Sequence, residues 1–343
     1  MGAGMIRTAM SAWAVAALAA PAAADVGYLA TEIEVDHRDV PVELHLWYPA
    51  EPGTPEAEVA ANPLFAGHMA HPGAEPLGEP APVVLLSHGS GGNAASLGWL
   101  AASLAERGMI VAAPNHPGTM SADSLPSRTV MPWERAWDMV VVLDRLRRDP
   151  PEGLAPDTDR VASLGFSLGG HTALRVVGAQ LSKNAFIDYC DGNDMWDCGW
   201  LRRGGVDFEG IEALLYEGQD LDPRVDAAVA VDPALTQATT VESLAGIEKP
   251  VLVVSLGTEG AIDAAMEAGD VVDALPDARH VFVEGSWHFS FLPECRALPA
   301  PVIAEMTEGE PICEDAGRPR GEVHEELRGV IGDFLEETFA EMR

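Results

Sequence analysis

Gly165-Phe166-Ser167-Leu168-Gly169 is the stretch that decides the fold. The β-prone run Arg160-Val161-Ala162-Ser163-Leu164 precedes it, and Gly170 to Ala179 follows with helical character. A G-x-S-x-G between a strand and a helix is a sharp turn that lifts the serine hydroxyl clear of the backbone. Its glycines are needed where a side chain would collide with the neighbouring strand and helix. The turn also leaves the Leu168 amide, at the helix N-terminus, free to face a developing oxyanion. Ser167 is the candidate nucleophile; the rival reading is a plain Gly-Ser turn.

Outward from this turn, strand and helix patterns alternate. Thr31–Val35 and Val42–Tyr48 each alternate around the turn residues Asp36-His37-Arg38-Asp39, predicting an antiparallel hairpin. Pro82–Ser87 is a continuous apolar run of the kind buried on both faces of a parallel sheet. A helix is expected from Ala94 to Arg107, a strand over Met109–Ala113, and a helix opened by Pro132. That last helix has Trp133, Ala136, Trp137, Val140, Val141 and Asp144 near one stripe. Ala227–Val231, Val251–Ser255 and His280–Glu284 read as strands, and Ala261–Leu275 as a helix. The terminal helix carries Val323, Leu327, Val330, Ile331, Phe334, Leu335 and Phe339 at 3.6-residue spacing, a face to pack on the sheet. The expectation is one α/β domain over residues 25–343: a mainly parallel sheet, helices on both faces, antiparallel first strands.

Three segments interrupt the rhythm. Residues 51–81, rich in Pro, Gly, Ala and Glu, read as a surface loop or small insertion, with His68 and His71 solvated and Phe65 and Met69 as anchors. Residues 181–224 hold Phe186, Tyr189, Trp196, Trp200, Phe208 and Tyr216, a lid-like insertion. Residues 292–319 contain Pro and Cys. The latter two follow strand ends, where loops carry function.

The whole chain sets further bounds. Its 343 residues, 47% hydrophobic, are ample for one buried core. Residues 1–24 read as a secretory signal: Arg7, a short apolar stretch from Ser11 to Ala20, then the cleavage site Ala22-Ala23-Ala24. The expected mature protein starts near Asp25 and is exported, without an integral membrane segment. A formal charge of −33 repels nucleic acid and anionic membrane, which excludes both as main partners. The four cysteines, Cys190, Cys198, Cys295 and Cys313, allow three pairings, and export favours disulfides. Cys190–Cys198 and Cys295–Cys313 are expected, because each pair is local and sits within one insertion. No C-x-x-C is present and the histidines lie elsewhere, so no metal site is expected.

A serine hydroxyl needs a base, and the base needs a carboxylate to fix its tautomer; here both must follow Ser167 in the chain. His288, in Gly285-Ser286-Trp287-His288-Phe289-Ser290-Phe291 directly after the last strand, is the candidate base. His280 precedes that strand, His324 sits in the final helix, and His171, one turn beyond Ser167, reads as packed or capped. For the acid, Asp232, Glu259 and Asp263 all follow strand ends, each with a solvated loop carboxylate as the alternative. The second oxyanion donor is sought in His88-Gly89-Ser90-Gly91, with the Ser90 amide beside that of Leu168. A phosphate loop is the rival there, but no Lys follows it.

Taken together, Leu44–Ala50, Ser87-His88-Gly89, Gly165–Gly170, Val231-Asp232-Pro233 and Gly285–Phe289 give a chain that resembles the α/β-hydrolases. It is most similar to the dienelactone hydrolase-like group related to plasma-type platelet-activating-factor acetylhydrolase. The resemblance implies ester hydrolysis through an acyl-enzyme with no cofactor. In the acetylhydrolase branch the acid follows the strand that ends at Asp232, which places Asp232 ahead of Glu259 and Asp263. Authentic dienelactone hydrolase uses a cysteine nucleophile, whereas this chain has Ser167, so the label says little about substrate. The function expected is an exported serine carboxylic-ester hydrolase acting on a small-molecule or lipid-like ester. A serine peptidase and a catalytically silent binding protein on the same fold are the alternatives.

Overall fold

The computed structural model describes residues 24–121, 123–192, 195–307 and 309–342. The signal-sequence reading lies outside them, apart from Ala24. Among the described residues ten strands form one sheet: β1 (Asp25–Ile33), β2 (Val42–Ala50), β3 (Ala57–Val59), β4 (His68–Pro72), β5 (Ala81–Ser87), β6 (Ile110–Pro114), β7 (Pro156–Phe166), β8 (Ala227–Val231), β9 (Val251–Leu256) and β10 (Ala278–Val283). Their spatial order is β10-β9-β8-β7-β5-β6-β2-β1-β4-β3. From β10 to β6 every neighbour runs parallel, and β2 is antiparallel to both β6 and β1. The expected antiparallel first strands are therefore one side of a mainly parallel sheet.

The apolar run in β5 shows why the strand is central. Successive side chains point to opposite faces, so Val84 and Leu86 join one core while Val83 and Leu85 join the other. On the first face the helices Gly98–Glu106 and Arg320–Glu341 cover the sheet, the latter with Val323, Leu327, Ile331, Phe334, Leu335 and Phe339. Val330 is only partly buried, at the margin of that stripe. On the second face lies the helix Pro132–Arg148. Its buried side is rotated from the expected stripe: Met139, Val142, Leu143 and Leu146 face the core, while Val140, Val141 and Asp144 are half-buried. Glu134, Arg135 and Asp138 are buried with them, an arrangement an apolar stripe does not predict.

Three other elements differ from expectation. Residues 51–81 contribute β3 and β4, with β4 running parallel to β1 through Gly27↔His71 and Tyr28↔Pro72. There Leu64, Ala70 and Ala74 are buried and Met69 is exposed, so Met69 is no anchor. His68 accepts the Trp47 indole N–H at 2.7 Å instead of being solvated. The helix at Ala261–Leu275 is shortened to Gly269–Ala274. Upstream of it, the Asp263 carboxylate takes the Ala265 amide at 2.9 Å, a local turn that competes with helix.

Both expected disulfides are formed, Cys190–Cys198 and Cys295–Cys313. The first joins the helices Lys183–Gly192 and Trp196–Arg203 inside a third core with Phe186, Leu201 and Tyr216. Arg175, in the helix after the serine turn, ties this insertion down. Its guanidinium donates to the carbonyls of Leu215, Tyr216 and Gly218, each at 2.9 Å, and to Asp220 at 2.5 Å. The segment 292–319 is joined to residues 62–66 through Ala66 N–H to Glu294 O and Arg296 N–H to Leu64 O, both 2.8 Å. Each bridge contributes about 3 kcal/mol on loop entropy.

Candidate active site

Ser167 sits between β7 and the helix Leu168–Arg175 with φ 57° and ψ −121°. A non-glycine residue there stores roughly 1–3 kcal/mol of strain, so its surroundings must hold it. They do: Ser167 N–H donates to Val231 O at 2.9 Å, and Ser167 O accepts from Ala234 N at 3.0 Å and His171 N at 3.2 Å. The flanking glycines are sterically required. A Cβ on Gly165 would lie 2.0 Å from Gly169 O, and one on Gly169 would lie 2.0 Å from Ser87 O. The loop after β5 also closes on the serine, since a Cβ on Gly89 would come within 3.1 Å of Ser167 Cβ.

His288 opens a short 3₁₀ turn, His288–Phe291, reached from β10 through Gly285 at φ 69°. The turn is held from both sides. Trp287 N–H donates to Ser290 Oγ at 3.1 Å, and His324 Nε2–H faces the carbonyls of Ser290 and Leu292 at 3.0 and 3.1 Å. His324 in turn stacks on Trp99, with ring centroids 3.8 Å apart. The Phe166 ring lies against His288 at 4.6 Å and is backed by Phe291.

Asp232 follows β8 with φ 41°, and its amide donates to Val254 O at 2.7 Å. One carboxylate oxygen accepts Leu256 N–H at 2.7 Å, and the other accepts His288 Nδ1–H at 3.0 Å. Burial raises the Asp232 pKa above the usual carboxylate value, and the bonds from His288 and Leu256 oppose that rise. With Nδ1–H given to Asp232, the free lone pair of His288 lies on Nε2. Glu259 and Asp263 are exposed and make no bond to His288; Asp263 acts only as a nearby charge that raises Asp232 further. Among the remaining histidines, His280 Nε2 meets Ser255 Oγ at 2.9 Å. His171 is fully buried with both ring nitrogens unpartnered among the described residues. Leu168 is the first residue of its helix, where an N–H has no intrahelical partner. Ser90 is exposed, and its hydroxyl meets Thr129 Oγ1 at 3.1 Å. Among the described residues no three His, Cys, Asp or Glu side chains gather as a metal site.

No family model matches the chain, and no curated protein does. Among solved structures it is similar to a ferulic acid esterase from Streptomyces cinnamoneus, at 22% identity and TM-score 0.63 over 94% of this chain and 92% of that one. The chain has the α/β-hydrolase fold. A dienelactone hydrolase from Anabaena variabilis also matches, at 17% identity and TM-score 0.44 over 82% and 94% of the two chains.

Beneath the site this α/β-hydrolase fold holds a second cluster that the sequence reading missed. Ser87 Oγ lies 2.9 Å from His116 Nε2, and His116 Nδ1 lies 2.7 Å from Asp138 Oδ2. Asp138 also accepts from His37 Nε2 at 2.8 Å and from Arg38 Nε and Nη2 at 2.7 and 2.5 Å. These bonds hold Asp138 well below the usual carboxylate value despite its burial. The order Ser-His-Asp repeats that of a hydrolytic triad, yet Ser87, His116 and Asp138 are all fully buried, so no substrate reaches them.

Burial sets the charge of these histidines. It pushes His116, His171 and His324 down to about 3 and His68 down to about 4, with His88 well below its ordinary value. The unfolded chain protonates them near pH 6.5 while the folded chain keeps them neutral. Stability contributed in this way is full above that value and is lost as pH falls from about 6.5 towards 3. Each such imidazole adds up to about 1.4 kcal/mol per pH unit within that window. Urea unfolding should therefore show a lower midpoint at pH 5 than at pH 7; an unchanged or higher midpoint would contradict neutral burial.

Proposed function

We propose that this chain is an exported serine carboxylic-ester hydrolase that works through an acyl-enzyme. The observation that carries the reading is the His288 Nδ1 to Asp232 bond at 3.0 Å, on an imidazole packed against Phe166, next to the strained serine turn. In this reading His288 Nε2 takes the Ser167 proton as Oγ attacks the ester carbonyl. The Leu168 and Ser90 amides face the oxyanion, and His288 returns the proton to the leaving alcohol. Water then repeats the sequence on the acyl-enzyme. No step calls for a cofactor. Asp232 stays ionised beside the imidazolium that forms, which its two donors favour.

The ferulic acid esterase neighbour is compatible with ester chemistry, and the quoted motifs resemble those of the dienelactone hydrolase-like group. The signal-like residues 1–24 and the two disulfides support export. No helix among the described residues is long and apolar enough to cross a membrane.

A panel of p-nitrophenyl esters graded by acyl length, run beside peptide p-nitroanilides, tests the reading. Turnover of esters with none of the anilides is expected. Faster turnover of the anilides would make the chain a peptidase, and no turnover of either by folded protein would make it a silent relative.

A further inference from the structure

Both walls of the proposed oxyanion hole lead to one buried guanidinium. Arg135 is 1% exposed in the first turn of the helix Pro132–Arg148. Its Nη2 donates to the carbonyl of His88, at the root of the His88–Gly91 loop, and to Ser87 Oγ at 3.1 Å. Nη1 donates to Thr119 Oγ1 at 2.6 Å, and the Thr119 carbonyl accepts Gly91 N–H at 2.9 Å, fixing the far end of that loop. Nε donates to Thr172 Oγ1 at 3.2 Å, and that hydroxyl donates to Leu168 O at 3.0 Å. One planar group thus grips the loop carrying Ser90 and, through Thr172, the first turn of the helix carrying Leu168.

The surrounding hydrogens are consistent with this role. His116 gives Nδ1–H to Asp138, so its Nε2 accepts the Ser87 hydroxyl, whose oxygen then accepts from Arg135. His116 N–H donates to His88 Nε2, leaving His88 Nδ1–H for the Gly89 carbonyl. Asp138, bonded also to Arg38, supplies the opposing charge. The buried Ser87-His116-Asp138 set is the support on which Arg135 rests.

We propose that Arg135 is a positioning residue of the oxyanion hole, holding the Ser90 and Leu168 amides at a fixed separation. The inference rests on the serine ester hydrolase reading. A guanidinium presents its donors in a rigid fork, whereas a lysine ammonium is a point charge that cannot reach His88, Thr119 and Thr172 together. Loss of one oxyanion donor costs on the order of 10²–10³ in kcat, and a displacement of about 1 Å can cost 10²-fold.

The test compares Arg135→Lys, Thr172→Val and Thr172→Ser with the unaltered chain, on one small ester and its thiono counterpart. Folding is checked by circular dichroism. Arg135→Lys and Thr172→Val should lower kcat by about 10–100-fold with KM little changed. They should also narrow the preference for the oxygen ester, because that preference reads the geometry around the oxyanion. Thr172→Ser, which keeps the hydroxyl, should restore both. If Arg135→Lys does not fold, Thr172→Val decides. A folded variant with unaltered kcat and unaltered oxygen preference overturns the proposal. Ser167→Ala run alongside separates the two failures. If it is inactive while the Arg135 and Thr172 variants behave normally, this inference alone falls; if it still turns over the ester, the hydrolase reading falls and takes the inference with it.

Discussion

Replacing Ser167 by alanine is expected to lower kcat by about 10⁶ while leaving the fold intact. The magnitude follows from what is lost: without the hydroxyl no acyl-enzyme forms, and only binding and oxyanion contacts remain. The fold should survive because alanine keeps the Cβ that the φ of 57° already tolerates. The backbone bonds that Ser167 donates to Val231 and accepts from Ala234 and His171 do not involve the hydroxyl. The measurement is kcat against a small p-nitrophenyl ester, with the thermal midpoint as the check on folding. Near-normal turnover would remove Ser167 from the mechanism.

Asp232→Asn should cost around 10⁴ in kcat, the loss seen when the equivalent exchange is made in the worked serine-protease case. Asparagine fits the site, since it tolerates positive φ and its carbonyl can still accept Leu256 N–H. Its amide nitrogen then faces His288 and forces Nδ1 to accept. The proton moves to Nε2, where a lone pair is needed to take the Ser167 proton. Glu259→Gln and Asp263→Asn should be mild, because both residues are exposed and make no bond to His288. All three variants are to be compared on one ester. Collapse of Glu259→Gln or Asp263→Asn with Asp232→Asn spared would move the acid one strand later.

What was legible in the sequence was what short-range pattern encodes. The continuous apolar β5, the glycines around Ser167 and the stripe from Val323 to Phe339 each carry their structure within a few residues. The placement of His288 after the last strand belongs with them. What was not legible depends on distant partners. β4 is a strand because β1 and β3 pair with its two edges, and nothing in the Pro- and Gly-rich 51–81 announces those pairings. His37 and Arg38 look like turn residues until Asp138, a hundred positions on, takes both. Arg135 and Asp138 share the buried side with Met139 and Val142, but charged residues usually lie outside, so an apolar stripe does not include them. Spacing on the helix was a signal that both face one way; their partners Ser87, His88 and His116 come from other strand ends, which sequence spacing does not join.

Among the described residues hydrogen bonds join Ser87, His116 and Asp138 and, separately, His288 and Asp232; the proposal is that chemistry belongs to Ser167 with the latter pair. Labelling the native protein with a fluorophosphonate, followed by peptide mapping, tests this most directly. A single adduct is expected on the peptide carrying Ser167, absent after denaturation and absent in Ser167→Ala. Folded protein that takes no label, or that carries it on Ser87 or Ser90 with Ser167 unmodified, would contradict it.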